Sequence, residues 1–410
     1  MEQFFAKRMA KVPRSFIREI LKVSLDPQMI NFAGGMPNKR YFPVPEIQAA
    51  ADRVFAECGR DVLQYANSEG LFELRKQIAD RYRQKKGIEV SPEDILITNG
   101  SQQGLDLLGK ALIDDGDGVL IEEPGYLGAI QALSTYCPEF CPVGVGPEGL
   151  DLETLADRSA AVRAKLLYIV PNFQNPSGIS YSEENRRQVA EVARTNDFLV
   201  VEDDPYGELR FGGEAKASLA HYAPERTILL GSFSKIVAPG FRLGWLAAPR
   251  PLYDKLLIAK QAADLHTASV GQHIVSRYLA DNEIDRHIER IIAVYGRQCR
   301  AMVEAADRHL AKEVRLWVPE GGMFLWGHLP AGQNALKLLD YAIGEKVAFV
   351  PGAPFYIQGG EETLRLNFSC SDETEIEEGM KRLSRAYEAY RQAGPVADEK
   401  GWQARKGLSG

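Results

Sequence analysis

The sequence predicts an α/β protein whose mainly parallel sheet is covered by helices on both faces, followed by a smaller α+β unit. Between about Pro45 and Arg250, helical periodicity alternates with short apolar runs, the pattern of a parallel sheet with crossover helices. Several of those runs end in Gly, Ser, Asn or Asp turns, so one ridge of strand ends should gather the functional side chains. With 410 residues, 45% apolar and 26% charged, the chain is ordinary in composition and long enough for more than one domain.

Composition also narrows the partners. A net charge of −7 argues against nucleic-acid binding, which needs a basic face. The five cysteines (Cys58, Cys137, Cys141, Cys299, Cys370) are odd in number and scattered, and Cys137 and Cys141 lack zinc-site spacing. They read as reduced thiols, and no metal is expected. The N-terminal Met-Glu-Gln-Phe-Phe-Ala-Lys-Arg is too charged for a signal peptide, and no stretch approaches the roughly 18 apolar residues of a membrane span. The expectation is a soluble cytoplasmic protein with no membrane or nucleic-acid partner.

Residues 1–45 read as an N-terminal arm and part of the small domain. They hold an amphipathic piece over 15–23 and the run Asn31-Phe-Ala-Gly-Gly-Met-Pro-Asn. Its glycines, Gly35 among them, allow close backbone approach, as a turn beside a ligand or as an ordinary connecting loop. A large domain over 46–284 follows. Periodicity predicts its helices at 46–58, 71–86, 102–114, 126–135 and 182–195. Strands are predicted at Ile95-Leu-Ile-Thr, Val119-Leu-Ile, Leu166-Leu-Tyr-Ile-Val, Phe198-Leu-Val-Val and Thr227-Ile-Leu-Leu. Long helices then cover 251–264, 268–281 and 285–312, the last able to bridge domains. The small domain, 285–393, carries strands near 315–318, 323–327, 347–350 and 363–368 and helices near 333–344 and 373–392. Residues 394–410 are polar without periodicity and read as a disordered tail.

The candidate chemistry centres on residues 231–245, Gly-Ser-Phe-Ser-Lys-Ile-Val-Ala-Pro-Gly-Phe-Arg-Leu-Gly-Trp. Lys235 follows Ser232 and Ser234 just past a strand, with Arg242 seven residues on. An amine among two hydroxyls and a guanidinium suits a phosphate-bearing aldehyde; a solvated loop lysine is the alternative. Five other places fit it. Thr98-Asn-Gly-Ser-Gln-Gln-Gly104 offers helix N-terminal amides with Ser101 and Gln102 as an anion site, or a plain Ser cap. Glu122-Glu-Pro-Gly-Tyr126 places Tyr126 past a strand end, where it could stack on a flat ring or fill the core. In Pro171-Asn-Phe-Gln-Asn-Pro-Ser-Gly178, Asn175 precedes a proline with its amide free to donate, or simply makes a turn.

The run Val200-Val-Glu-Asp-Asp-Pro-Tyr206 ends a hydrophobic strand in carboxylates that are costly to desolvate without a partner. A protonated pyridine nitrogen would suit Asp203, with Tyr206 near the ring's phenolic oxygen; an acidic metal or capping cluster competes. Last, Arg365 alternates with inward apolar residues in Thr363-Leu-Arg-Leu-Asn-Phe-Ser369. A buried arginine needs an anion, either a substrate carboxylate or a protein one.

With these residues in order, the chain resembles the fold-type I aminotransferases of class I/II that use pyridoxal 5'-phosphate (PLP). It is most similar to the α-aminoadipate/kynurenine subgroup. The resemblance runs from about Ser15 to Tyr390 through Asn31-Phe-Ala-Gly-Gly-Met-Pro, Leu63-Gln-Tyr, the Gly100-Ser turn, Asn175-Pro-Ser-Gly, Asp203-Asp-Pro-Tyr, Ser232-Phe-Ser-Lys and the Arg365 strand. It implies a large domain with a mainly parallel, seven-stranded type of sheet. It implies that Lys235 tethers PLP covalently and moves the substrate Cα proton, and that Asp203 pairs with the ring nitrogen. Tyr206 and Asn175 would bond the ring oxygen, Tyr126 would stack on the ring, and Ser101, Gln102, Ser232, Ser234 and Arg242 would hold the phosphate. Tyr65 matches a tyrosine that reaches the neighbouring subunit's phosphate, which implies a homodimer with shared sites.

On the substrate side, the resemblance implies that Arg365 holds the α-carboxylate beside Asn175 and Gly35. Ser15-Phe-Ile-Arg18 resembles an element that contacts a distal carboxylate; Arg18 could equally be a surface or dimer arginine. The implied reaction is ping-pong amine transfer between an L-amino acid and a 2-oxo acid. Glutamate/2-oxoglutarate forms one pair, and 2-aminoadipate or an aromatic or branched-chain amino acid is the other donor. A PLP lyase or decarboxylase on the same scaffold is the alternative. The PLP-binding module of a transcription regulator is disfavoured, because no room is left ahead of Ser15 for a DNA-binding domain and the charge is acidic.

Overall fold

The computed structural model describes residues 2–12 and 26–393. The amphipathic piece over 15–23, with Ser15 and Arg18, and the 394–410 tail lie outside the described residues.

Fourteen strands appear among the described residues. β1 (Ile30–Asn31) pairs in parallel with β12 (Val347–Ala348). The main sheet contains β2 (Ile95–Thr98), β3 (Gly118–Glu123), β4 (Glu139–Gly146), β5 (Gly149–Leu150), β6 (Leu166–Ile169), β7 (Leu199–Asp203), β8 (Thr227–Ser232) and β9 (Gly244–Ala247). Their order is β2-β9-β8-β7-β6-β3-β4-β5. β8, β7, β6, β3 and β4 run parallel, whereas β9 is antiparallel to both neighbours and β5 folds back on β4. Seven strands thus form the mainly parallel sheet that the resemblance implied, and the two-residue β5 adds an eighth at the edge. β2, β6 and β8 are buried along their whole length, which explains their uninterrupted apolar runs.

The expected strands form, except that the one near 347–350 divides into β12 and β13, which belong to different sheets; β1, β4, β5 and β9 carried no strand signal. β4 contains Pro142 and two glycines; it is paired fully only on its β3 side, so a missing amide donor is tolerated there. β9 is four residues, Gly-Trp-Leu-Ala, with no β-branched side chain, and pairing on both sides makes it a strand. The helix Leu152–Val162, capped by Asp151 accepting from the Thr154 amide, and the single turn Leu219–Tyr222 also lay unpredicted in the sequence.

A second sheet, β10 (Arg315–Trp317), β11 (Phe324–His328), β14 (Thr363–Asn367) and β13 (Val350–Pro351), is antiparallel throughout. The helix Ile284–His309, about 39 Å long at 1.5 Å per residue, packs on the terminal helix Glu373–Ala393. The segment after β1 is threaded between the strands of the second unit. The Phe32 amide donates to Ala348 O at 2.8 Å, and the Asn367 amide donates to Phe32 O at 2.7 Å. This threading brings the Ala33 carbonyl to Arg365, the middle residue of β14, and Gly35 to the same neighbourhood.

Gly244 faces Thr98 on one neighbour and Ser232 on the other, beneath both turns that leave those strands. A Cβ there would lie 2.6 Å from Gly100 C and from Ser101 N, which are backbone atoms with no rotamer to escape into. Gly244→Ala is therefore expected to destabilise the fold by about 1–3 kcal/mol. Gly240→Ala, with open space around it, should leave the thermal unfolding midpoint unchanged. Thermal unfolding of both variants beside the parent protein checks this.

Candidate active site

The C-terminal ends of β7 and β8, the turns after β2, β3 and β6, and Arg365 of β14 meet around a cavity of about 270 Å³. Gly35, Ser101, Gln102, Tyr126, Asn175, Asp203, Tyr206, Ser232, Ser234, Lys235, Arg242 and Arg365 all line it. Twelve of the fifteen expected residues are thereby brought together. Of the remaining three, Ser15 and Arg18 lie outside the described residues. Tyr65 is 80% exposed, packed edge-on against His266 at 5.8 Å, and takes no part in the cavity of its own chain.

Lys235 reaches the cavity because the chain reverses immediately after β8. The Ser232 hydroxyl accepts from the Ser234 amide at 3.1 Å and donates to Ser234 Oγ at 2.8 Å, closing a local turn. The Lys235 ammonium donates to Gly35 O at 2.8 Å and stands 5.9 Å from the centre of the Tyr206 ring. No carboxylate among the described residues pairs with it. Loss of hydration lowers its pKa to about 8; Arg365 and Arg242 push the same way, and the Cys370 thiol opposes them.

Asp203 ends β7 and is 2% exposed. Its Oδ2 accepts from the Tyr168 hydroxyl at 2.8 Å, while Oδ1 is buried without a protein partner. Desolvation raises the carboxyl to about 7, and neighbouring Asp204 adds to the rise against the Tyr168 hydrogen bond. Asp204 itself turns away and pairs with Lys86.

Arg365 is likewise 2% exposed. Its guanidinium donates to Asn175 Oδ1 at 2.6 Å and Ala33 O at 2.8 Å, and Nε is buried unpaired. It stacks 4.3 Å from the Phe324 ring centre and 5.3 Å from that of Phe355. Burial lowers its pKa to about 10. The internal salt bridge that the sequence left open is absent: its partners are an amide and a carbonyl, and its charge is uncompensated among the described residues.

At the opposite wall, Gly100 rather than Ser101 caps the helix Ser101–Leu112, with φ +73° and no side-chain cap. Ser101 is the first helical residue, so its hydroxyl and the first-turn amides remain for an anion. A Cβ on Gly100 would approach Arg242 Nη2 to 2.6 Å, so the positive φ favours glycine here and a side chain would displace the Arg242 guanidinium. The Gln102 side chain donates to Gly128 O at 2.8 Å, and its backbone amide, in the first turn, is the donor the helix start offers an anion. Tyr126 caps the helix Leu127–Ser134, and burial raises its hydroxyl to about 12. Tyr206 packs edge-on against Phe324 at 5.9 Å, and burial raises its hydroxyl as well.

Sequence reasoning missed Tyr168, Phe324, Phe355 and the Ala33 carbonyl. Only Tyr168 had a readable signal: on a buried strand it shares a face with Val170, and both line the cavity. Among the described residues, no group of three or more His, Cys, Asp or Glu is arranged to hold a metal ion.

A family model, aminotransferase class I and II, matches residues 27–383. The chain is 43% identical to a 2-aminoadipate transaminase from Thermus thermophilus, over 93% of this chain and 96% of that protein. It is 39% identical to an aromatic-amino-acid aminotransferase from Thermococcus litoralis, over 93% and 94% of the two chains. It also superposes on the structure of an α-aminoadipate aminotransferase from Thermus thermophilus complexed with N-(5'-phosphopyridoxyl)-L-leucine. There the TM-score is 0.89 at 40% identity, covering 96% of this chain and 99% of that one.

The raised Asp203 pKa has a measurable consequence in cofactor-free protein. Between the ordinary 3.8 and about 7, the folded carboxyl keeps a proton that the unfolded chain releases. Folding stability due to Asp203 therefore falls as pH rises through that window. Chemical denaturation at pH values from about 4 to about 7 should show wild type losing stability relative to Asp203→Asn; a constant difference would contradict the assignment.

Proposed function

The chain belongs to the class I and II aminotransferases, and on that premise we propose which residues hold PLP and which amino acids the site accepts. It is a PLP-dependent aminotransferase. The observation that carries the site reading is one cavity holding an amine, a carboxylate and a guanidinium that are not paired with one another. PLP and an amino acid together are complementary to these three groups: an aldehyde for the amine and a ring nitrogen for the carboxylate from PLP, and the amino acid's carboxylate for the guanidinium.

The residues fit the cofactor. Asp203 Oδ1 is a buried acceptor without a donor, and a protonated ring nitrogen supplies one. Ser101, Ser232, Ser234, Arg242 and the amide of Gln102 form the phosphate cradle, which Gly100 keeps open. Tyr126 would cover the ring, and Tyr206 with Asn175 would serve its oxygen. Lys235 is the covalent tether. When bound, PLP supplies an electron sink for the charge left at the substrate Cα on loss of its proton.

The chain's own groups supply the rest. Arg365 clamps the substrate α-carboxylate, backed by Asn175 and walled by Phe324 and Phe355. The backbone of Gly35 borders the same place. Clamping there would hold the amino acid with its Cα hydrogen toward Lys235. With a pKa near 8, that amine has a substantial neutral fraction at physiological pH and serves as general base and then acid. The donor and acceptor react in turn at one site, which gives ping-pong kinetics.

We assign glutamate/2-oxoglutarate as one pair, with 2-aminoadipate, aromatic or branched-chain amino acids as the other donors. Identity to both the 2-aminoadipate and the aromatic enzymes, and the ring-lined wall beside Arg365, support this range. Arg18 is proposed to meet the distal carboxylate of acidic donors, next to Ser15. Tyr65, exposed and packed edge-on against His266, is proposed to reach the phosphate of a second copy, making the enzyme a homodimer with shared sites. We divide the chain into a large PLP domain over 46–284 and a small domain over 285–393 that Arg365 brings to the site. Five cysteines, none in a disulfide, support a cytoplasmic setting; among the described residues, no helix is long and apolar enough to cross a membrane.

Two outcomes test this reading. Adding L-glutamate or L-2-aminoadipate should bleach the visible cofactor absorption, and 2-oxoglutarate should restore it. Lys235→Ala should abolish both the bleaching and amine transfer, a fall of at least about a thousandfold; retained transfer, or carbon dioxide release in its place, would sink the proposal. Steady-state kinetics of Arg18→Ala should show kcat/KM falling about tenfold or more for glutamate and 2-aminoadipate with little change for aromatic donors. An equal loss for both donor types would make Arg18 structural.

A further inference from the structure

We propose that Tyr168 is a positioning residue for Asp203. Its hydroxyl occupies Oδ2 and so leaves Oδ1 as the open acceptor for the cofactor's ring nitrogen. This rests on the assignment of Asp203 to that nitrogen.

The geometry follows from strand parity. β6 and β7 are parallel neighbours, with Tyr168 opposite Val201 and Ile169 opposite Glu202. Side chains alternate faces with period two, so Tyr168, Val201 and Asp203 share one face of the sheet. Tyr168 stands one step behind Asp203 on the adjacent strand. A tyrosine leaning along its strand spans that offset, and its hydroxyl arrives at 2.8 Å. A phenylalanine in the same place would fill the space without reaching the carboxylate.

The chemistry is directional. Tyr168 is fully buried beside Asp203, so its own ionisation is suppressed and the hydroxyl remains a donor throughout the working pH range. A donor on Oδ2 favours the ionised carboxylate over the protonated one. That opposes the desolvation which otherwise drives a carboxyl with no cation among the described residues toward neutrality. The same hydrogen bond fixes the rotation of the carboxyl group, because a carboxylate held at one oxygen presents the other in a fixed direction. Two effects needed at the ring nitrogen, charge and aim, therefore come from one hydroxyl on the next strand. Neighbouring Glu202 and Asp204 are held by other groups, Ser218 and Lys86, and neither meets Tyr168.

The test uses the full chain loaded with PLP. In Tyr168→Phe, the PLP dissociation constant should rise about tenfold. The 15N resonance of ring-labelled PLP should move toward the unprotonated position at neutral pH, and kcat should fall while KM for the amino acid changes little. Unchanged dissociation constant and unchanged 15N shift would overturn the proposal, since a merely space-filling tyrosine predicts both. Asp203→Asn, measured in parallel, separates the two assignments. If it moves the resonance and Tyr168→Phe does not, the role of Tyr168 fails alone; if neither does, the reading of Asp203 fails first. Should Tyr168→Phe not fold, 3-fluorotyrosine at position 168 takes its place. As a stronger donor it should extend ring protonation to higher pH, and no shift overturns the proposal.

Discussion

The structure depends on keeping three charges of one cleft apart, two of them buried and the third, Lys235, half-buried. Lys235, Asp203 and Arg365 border one cavity, and contact of Asp203 with either cation would neutralise groups that a substrate and cofactor must meet. Each is instead held by a neutral partner: Gly35 O for the lysine, the Tyr168 hydroxyl for the aspartate, and Asn175 with Ala33 O for the arginine. Uncompensated burial is costly, and the cost is visible as a lowered lysine, a raised aspartate and a lowered arginine. Such opposed displacements in one cleft are the electrostatic mark of a site prepared for ligands.

The scaffold bears that cost through rigid elements. Asp203 and Tyr168 stand on central parallel strands, and Arg365 is fixed between β11 and β13. The phosphate side is set by close backbone approach, with Gly244 under Gly100 and Gly100 against Arg242. A sheet that supplies its groups from strand ends gives little freedom for the three charges to relax toward one another.

Much of this was legible in the residues. Unbroken apolar runs announced buried strands because β2, β6 and β8 have no exposed face. The order of the lysine turn, Asp203-Asp-Pro-Tyr, Asn175-Pro and the Arg365 strand carried the family resemblance, which the family match over 27–383 bears out. β4 and β9 were not legible, since a proline-bearing strand and a Gly-Trp-Leu-Ala run become strands only through their neighbours. Nor was the cap: Ser101 looked like the helix cap by residue type, but the positive φ falls on Gly100.

By itself, the sequence determined the class of chemistry, because an amine, a strand-end carboxylate, hydroxyls and a lone strand arginine are properties of residue type and local spacing. It also placed most of the strands, since periodicity is local, although β3, β7 and β8 each run two residues past their apolar runs. Only the tertiary structure decided that Arg365 has an amide and a carbonyl for partners, that Gly35 receives the lysine, and that Tyr168 holds Asp203. Those pairings join residues 35 to 332 positions apart, and a contact across such separations is fixed by strand register and threading, which no local pattern encodes.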